Sequence, residues 1–336
     1  MIREALLYEK LADFRVQCAL CAHRCKINPD RRGLCGVREN RDGVLYSLVF
    51  GTLIAEHIDP IEKKPFFHVY PASRSYSIAT VGCNLSCEFC QNHEISQMPR
   101  STLMITGEDT APAAIVERAI NNDCKTIAYT YTEPTVYLET ALETAKIACG
   151  EGLKNVFVTN GFMTSEAIEM MAPYLVAANV DLKSFRDEFY KKQCGGRLKP
   201  VLDSLVKMKE QGIWLEITTL LIPGLNDSPE ELKDIAAFIF SLGPETPWHI
   251  SRFHPQFKML GMSATPVSSL HRACDIGKKA ALNHVYSGNV PGDEGENTYC
   301  SNCGKLLMNR YGYRIIENHL SGNACFHCGK KLAGIF

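Results

Sequence analysis

A chain of 336 residues has room for one large enzyme domain with small appendages, or for two ordinary domains. Its composition, 46% hydrophobic and 22% charged, supports a sizeable core and excludes a disordered chain. The formal net charge of -1 gives no reason to infer a polyanion-binding surface, which leaves nucleic acid a minor partner hypothesis.

The opening "MIREALLYEKLADF" is charged and amphipathic, without the apolar stretch and small-residue cleavage site of a signal peptide. No run approaches the roughly 20 apolar residues of a membrane span. Together these predict a cytoplasmic protein without membrane partners. Fifteen cysteines in such a chain point to metal sites, because the cytosol keeps thiols reduced.

The first group, Cys18, Cys21, Cys25 and Cys35, falls in a small leading module, residues 1–74, with short apolar runs such as "GVLYSLVFG". It is a complete four-thiolate set for zinc or for an iron-sulfur cluster, with His23 as an alternative ligand, and the spacing does not choose between the metals. The reading leans to a structural metal.

Candidate strands then alternate with helical segments: "YSIATVG" (76–82), "TIAYTYT" (126–132), "NVFVTN" (155–160), "NVDLKS" (179–184), "WLEITTLLI" (214–222) and "WHISRF" (248–253). In "TVYLETALETAKIACG" the stripe Val136, Leu138, Ala141, Leu142 and Ala145 predicts a helix that stops near Gly150. "KPVLDSLVKMKEQG" buries Val201, Leu202, Leu205 and Met208 before Gly212. "SPEELKDIAAFIFSLG" opens with the capping-box pair Ser228 and Glu231, has Pro229 at its first position and ends at Gly243.

Six such units predict an α/β fold with parallel strands, either a doubly wound sheet or an incomplete barrel, expected over residues 75–290. In both, ligands collect at the carboxyl ends of the strands. Past "HVYSGNVPGDEGENTY" a trailing module, residues 291–336, carries Cys300, Cys303, Cys325 and Cys328. Each Cys-x2-Cys pair there is followed by glycine, the pattern of a zinc ribbon, with rubredoxin-like iron as the minority reading and structural support as the expected role. The remaining Cys124, Cys149, Cys194 and Cys274 read as buried small hydrophobes, with Cys194 in "QCGGR" held in reserve near the mouth.

Directly after the first strand, "VGCNLSCEFCQN" presents Cys83, Cys87 and Cys90 from one loop. Three thiolates on a four-iron cube leave one iron open to a small molecule; the competing reading is a zinc ion completed by His93. The Cys-x3-Cys-x2-Cys loop, with Phe89 before its last cysteine, resembles the signature of radical S-adenosylmethionine (SAM) enzymes. That resemblance implies a partial (β/α)6 barrel, a 4Fe-4S cluster whose open iron binds SAM, a 5′-deoxyadenosyl radical that takes a substrate hydrogen, and a flavodoxin or ferredoxin reductant.

It also carries over strand-end residues. "TYTEP" resembles the family's Gly-Gly-Glu-Pro, keeping Glu133 and Pro134 but replacing the glycines by Tyr131 and Thr132. "TNG" (159–161), "DLK" (181–183) and His254 resemble strand ends of the glycyl-radical activating enzymes, although Val158 stands where those enzymes often have an acid. The resemblance implies cofactor contacts from Phe89, Asn92, Glu133, Asn160, Asp181, Lys183 and His254. Taken singly, Asp181 and Lys183 read as an ion pair, Glu133 as a helix cap and His254 as an ordinary loop residue.

The ordered set "CALCAHRC", "GCNLSCEFCQN", "YTYTEPTVY", "LLIPGLNDS", "HVYSGNVPG" and the last quartet resembles the radical SAM protein of the AmmeMemoRadiSam system, related to pyruvate formate-lyase activating enzymes. This implies an oxidoreductase-type enzyme and association with other AmmeMemoRadiSam proteins. Alternatives are activation of a glycyl-radical enzyme and, from a different class, a zinc-bound scaffold for protein or nucleic acid.

Overall fold

The computed structural model describes residues 1–336. Its centre is an eight-stranded sheet: β1 (Ala55–Pro60), β2 (Arg74–Ala79), β3 (Cys124–Tyr129), β4 (Lys154–Thr159), β5 (Ala177–Asp181), β6 (Trp214–Leu221), β7 (Trp248–Arg252) and β8 (Val285–Gly288). Neighbours follow chain order, and every pairing is parallel except antiparallel β1 with β2. The edges β1 and β8 are not bonded to each other, so the sheet is an open, mostly parallel α/β array of the incomplete-barrel kind.

The six predicted strands are all present, and the sheet adds one at each edge. β8 is four residues of "HVYSGNV", too short to show a period, and was not among the expected strands although it lies within the expected 75–290. β1, "AEHIDP", is half exposed and charged, as edge strands are, and takes residues 55–60 out of the expected leading module and into the main sheet.

The helices α1 (Pro112–Asn121), α2 (Leu138–Gly150), α3 (Ser165–Met171), α4 (Leu198–Glu210), α5 (Pro229–Leu242) and α6 (Val267–Lys279) form the outer layer. α4 buries Val201, Leu205 and Met208, each contributing about 1.5–3 kcal/mol by leaving water. On α5 the Ser228 hydroxyl caps Glu231 N–H at 3.2 Å. The Glu231 carboxylate does not return to Ser228 as a capping box would; it accepts from Ser184 Oγ and from Phe185 N at 2.8 Å, tying α5 to the end of β5.

Residues 61–73 plug the amino-terminal end of the sheet, where Ile61, Phe66 and Val69 pack on Ala128, Val156 and Ala177, and Ile335 bridges to Val69. The trailing module is therefore anchored at the end opposite the three-cysteine loop. Between them lies a buried polar network. Glu216 accepts from Phe67 N, His68 N and His249 Nε2 at 3.0, 2.9 and 2.6 Å. His68 Nδ1 donates to Ala333 O at 2.7 Å, so its Nε2, 2.7 Å from Tyr286 Oη, accepts the phenol hydrogen.

Burial holds His68 far below its ordinary value and lowers His284, whose ring lies 4.5 Å from that of His68, to about 4. An unfolded imidazole titrates near 6.5, so between about pH 6.5 and 4 the unfolded chain binds protons that the folded one refuses. Stability is full above that window and falls as pH falls through it. The urea midpoint should drop between about pH 7 and pH 5, with His284 contributing on the order of 1–2 kcal/mol. The slope should flatten in His284→Gln; an unchanged slope would show that this histidine is not the titrating group.

Candidate functional site

The chain leaves β2 through Gly82 at φ +99°, where a Cβ would meet Val37 at 2.6 Å, and enters the three-cysteine loop. Two backbone bonds fasten the loop to residues 193–194: Ser86 N to Cys194 O at 2.8 Å and Glu88 N to Gln193 O at 2.9 Å. Arg100 Nη2 holds Cys83 O at 2.7 Å from the other side. Cys83 Sγ accepts from Leu85 N at 3.4 Å, and Cys90 Sγ lies 3.3 Å from Ser96 Oγ. Cys87 is buried, while Cys83 and Cys90 are half-buried.

Burial, reinforced by Glu133, holds the Cys83 thiol above its ordinary value, and burial raises Cys90 as well. Thiolates in so dry a place require a positive partner, which a metal centre supplies. Lys183 also faces Cys87; although burial opposes its charge, Asp181 and then the neighbouring thiols hold it above the ordinary lysine range.

These sulfurs do not draw together as ligands of a single ion do. The group whose ligand atoms all lie within 4.8 Å of one another is Cys300, Cys303, Cys325 and Cys328. His93, the expected fourth ligand of a zinc reading, is instead stacked on Phe257 with ring centroids 4.3 Å apart. Three loop thiolates spread more widely fit a polynuclear cluster, in which each binds its own iron.

The strand ends converge around this loop. Glu133 is buried; its Oε1 accepts from Thr135 N, Thr135 Oγ1 and Thr159 Oγ1 at 3.1, 2.6 and 2.7 Å, and its Oε2 from Asn160 N at 2.8 Å. Burial raises its carboxyl against those four bonds. It thus welds the end of β3 to the end of β4. Asn160 Nδ2 is 2.7 Å from Asn84 Oδ1 and 3.7 Å from Cys83 Sγ, and Asn92 Nδ2 donates to Tyr131 O at 2.6 Å. Asp181 and Lys183 pair at 2.8 Å. Phe89 is buried beside Phe189 and lies 5.8 Å from Lys183 Nζ. His254 is exposed beyond β7, on a segment whose Lys258 N reaches Glu88 O at 3.0 Å.

Tyr131, standing for a family glycine, has φ +59°, which places a bulky residue in the left-handed region. Its hydroxyl donates to Asp59, and Lys64 Nζ sits 4.0 Å from the ring centroid, so β1 and its following turn hold the strained residue in place.

Three residues here escaped the sequence reading: Asn84 ties Asn160 to Phe162 O, and Arg100 and Ser96 fasten the loop. His23, expected as an alternative ligand of the first quartet, instead donates Nε2 to Asn84 O at 2.7 Å. They act mostly through backbone carbonyls, which leave no motif; the one available signal was the place of Asn84 beside Cys83. A cleft of about 560 Å³ lies between the leading module and the loop, lined in part by His23, Arg31, Arg32, Asn84, Ser86 and Arg100.

At the far end, Cys300 and Cys328 sulfurs lie 3.6 Å apart and those of Cys303 and Cys325 3.7 Å. Gly304 and Gly329, at φ +70° and +71°, turn each knuckle back so that their N–H groups reach Cys300 O and Cys325 O at 2.9 and 2.8 Å. Asn302 and then Lys330 N–H lower the Cys328 thiol to about 6. The quartet has the spacing and the donor chemistry to hold a metal ion.

The sequence profile described as the Radical SAM superfamily matches residues 77–239. With the loop and barrel described above, residues 77–239 form a radical SAM domain; members of that superfamily are enzymes that use a 4Fe-4S cluster and SAM and take electrons from an external reductant. Over nearly its whole length the chain is 45% identical to the uncharacterized protein MJ0808 of Methanocaldococcus jannaschii, across 334 residues, 98% of this chain and 99% of that one, which makes the two members of one family. The GTP 3',8-cyclase of Listeria welshimeri is 22% identical over 259 residues, covering 69% of this chain and 74% of the cyclase. Among solved structures, a radical SAM methyltransferase from Sphaerobacter thermophilus shares the fold at TM-score 0.52 and 16% identity, over 68% of this chain and 71% of that one. No helix is long and apolar enough to cross a membrane.

Proposed function

We propose that the protein is a SAM-dependent radical enzyme in which Cys83, Cys87 and Cys90 hold the catalytic 4Fe-4S cluster. The observation that carries this reading is the joining of the ends of β3 and β4 to the three-cysteine loop after β2, through Glu133, Asn160, Asn84 and Asn92. When bound, the cluster and SAM supply a 5′-deoxyadenosyl radical for hydrogen abstraction.

The chain's own part is placement and dryness. Asn92 is held at Tyr131 O with its Oδ1 left to accept, and Asn160 keeps its amide against Cys83. Glu133 acts through its neighbours as a positioning residue, since each of its oxygens is already bonded within the protein. Lys183 and Asp181 set the charge beside Cys87, and Phe89 with Phe189 forms an apolar wall. His254 stands at the open rim, available to a cofactor or substrate.

The reading places the protein in the AmmeMemoRadiSam family, supported by the ordered motifs, and gives the C-terminal quartet zinc. The fifteen cysteines form no disulfide, in keeping with a reducing cytoplasm, and the reading takes a flavodoxin- or ferredoxin-type donor.

Anaerobic protein supplied with SAM and dithionite should form 5′-deoxyadenosine; iron-loaded protein that forms none would overturn the reading. Replacing Cys303 by serine should release the C-terminal zinc and loosen residues 291–336 while leaving the iron content unchanged. Zinc content and limited proteolysis check this, and loss of iron in that variant would contradict it.

A further inference from the structure

The N-terminal quartet has no place in the reading above, and its geometry separates it from the C-terminal one. Four thiolates on one zinc ion, with Zn–S bonds of about 2.3 Å, lie about 3.8 Å from each other. The C-terminal pairs at 3.6 and 3.7 Å meet that spacing. The sulfurs of Cys18, Cys21, Cys25 and Cys35 do not gather within the 4.8 Å that defines the C-terminal group.

They are nonetheless one set. Cys18 N donates to Cys25 O at 2.9 Å, and a Cβ on Gly33, two residues before Cys35, would lie 3.8 Å from Cys25 Sγ.

The surroundings are also built for an anionic centre. Arg38, 1% exposed, directs Nη1 to Cys18 Sγ at 3.5 Å, and its buried Nε has no partner. Such a cation is costly to bury without compensation, and Glu139 supplies only part of it. A thiolate-bound metal centre supplies the rest.

We propose that Cys18, Cys21, Cys25 and Cys35 hold a second iron-sulfur cluster, a 4Fe-4S cube with one thiolate on each iron and no open position. The wide spacing follows because each sulfur radiates from a different corner of the cube. The contrast with the C-terminal quartet stands without the catalytic assignment. The site lies directly against the three-cysteine loop: His23, between Cys21 and Cys25, bonds Asn84 O, and Cys35 O lies 3.2 Å from the place a Cβ on Gly82 would take.

The test is a count of iron, acid-labile sulfide and zinc on the anaerobically prepared full chain, compared with a variant carrying Cys83→Ala, Cys87→Ala and Cys90→Ala. The proposal predicts about eight iron in the wild type and about four iron with four sulfides in the variant, still giving a reduced-cluster paramagnetic resonance. About one zinc per chain should remain in both, at the C-terminal quartet. A variant with no iron and about two zinc ions, or with only about two iron, would overturn it. If the wild type holds about four iron and all survive in the variant, the catalytic assignment fails and this one stands. Adding Cys18→Ala and Cys21→Ala to the triple variant should remove the remaining iron; should that protein fail to fold, the triple variant alone decides.

Discussion

Cys87→Ala protein will form no measurable 5′-deoxyadenosine from SAM and will lose about four iron per chain. Cys87 is buried between Lys183 and Cys194, and the loop around it is pinned by Ser86 and Glu88 to residues 193–194. Burial and the pinned backbone both oppose replacement of the thiolate by water or another side chain. Cys194, whose carbonyl oxygen holds Ser86 N at 2.8 Å, is the informative comparison. As a neighbour of a ligand it should cost about 10- to 100-fold when replaced by alanine, with iron retained. Cys87→Ala protein that keeps its iron and its activity would remove Cys87 from the ligand set.

The second large effect lies away from the chemistry. Glu139→Ala should destabilise the protein by about 3–5 kcal/mol, because it leaves the Arg38 guanidinium buried without its carboxylate. Glu139 on α2 also accepts Leu6 N at 2.8 Å, and Arg38 Nη1 donates to Leu6 O at 2.9 Å, so one buried pair clasps the amino-terminal strands to the barrel. Glu139→Gln keeps an acceptor for Leu6 N but not the charge, and should fall between wild type and Glu139→Ala. Urea denaturation of the loaded protein reads the difference; a loss below about 1 kcal/mol would mean that the pair is no more than a surface bridge in effect.

Much of this architecture was legible because parallel strands buried on both faces are written as apolar, β-branched runs, as in "NVFVTN" and "WLEITTLLI". β1 was not, since "AEHIDP" gains its place only from pairing with β2, and β8 was too brief to carry a period. The same division holds at the site. The cysteines, Glu133, Asn160 and the Asp181–Lys183 pair stand in motifs, whereas Arg100 and Ser96 matter through what they hold.

Tyr131 shows a further limit. Its replacement of a family glycine put the turn in doubt, and only the tertiary support from Asp59 and Lys64 explains how a tyrosine keeps a glycine's backbone. Cysteine spacing likewise names ligand sets but not the distances between sulfurs. Those distances are what distinguish the compact C-terminal quartet from the wider N-terminal one.

The most direct test of the central claim is low-temperature electron paramagnetic resonance on anaerobically prepared, reduced protein with and without SAM. The account predicts a cubane signal that changes when SAM is added, and whose SAM-responsive part is absent from Cys87→Ala protein. A fully loaded protein whose spectrum is unmoved by SAM would contradict an open iron at the three-cysteine loop.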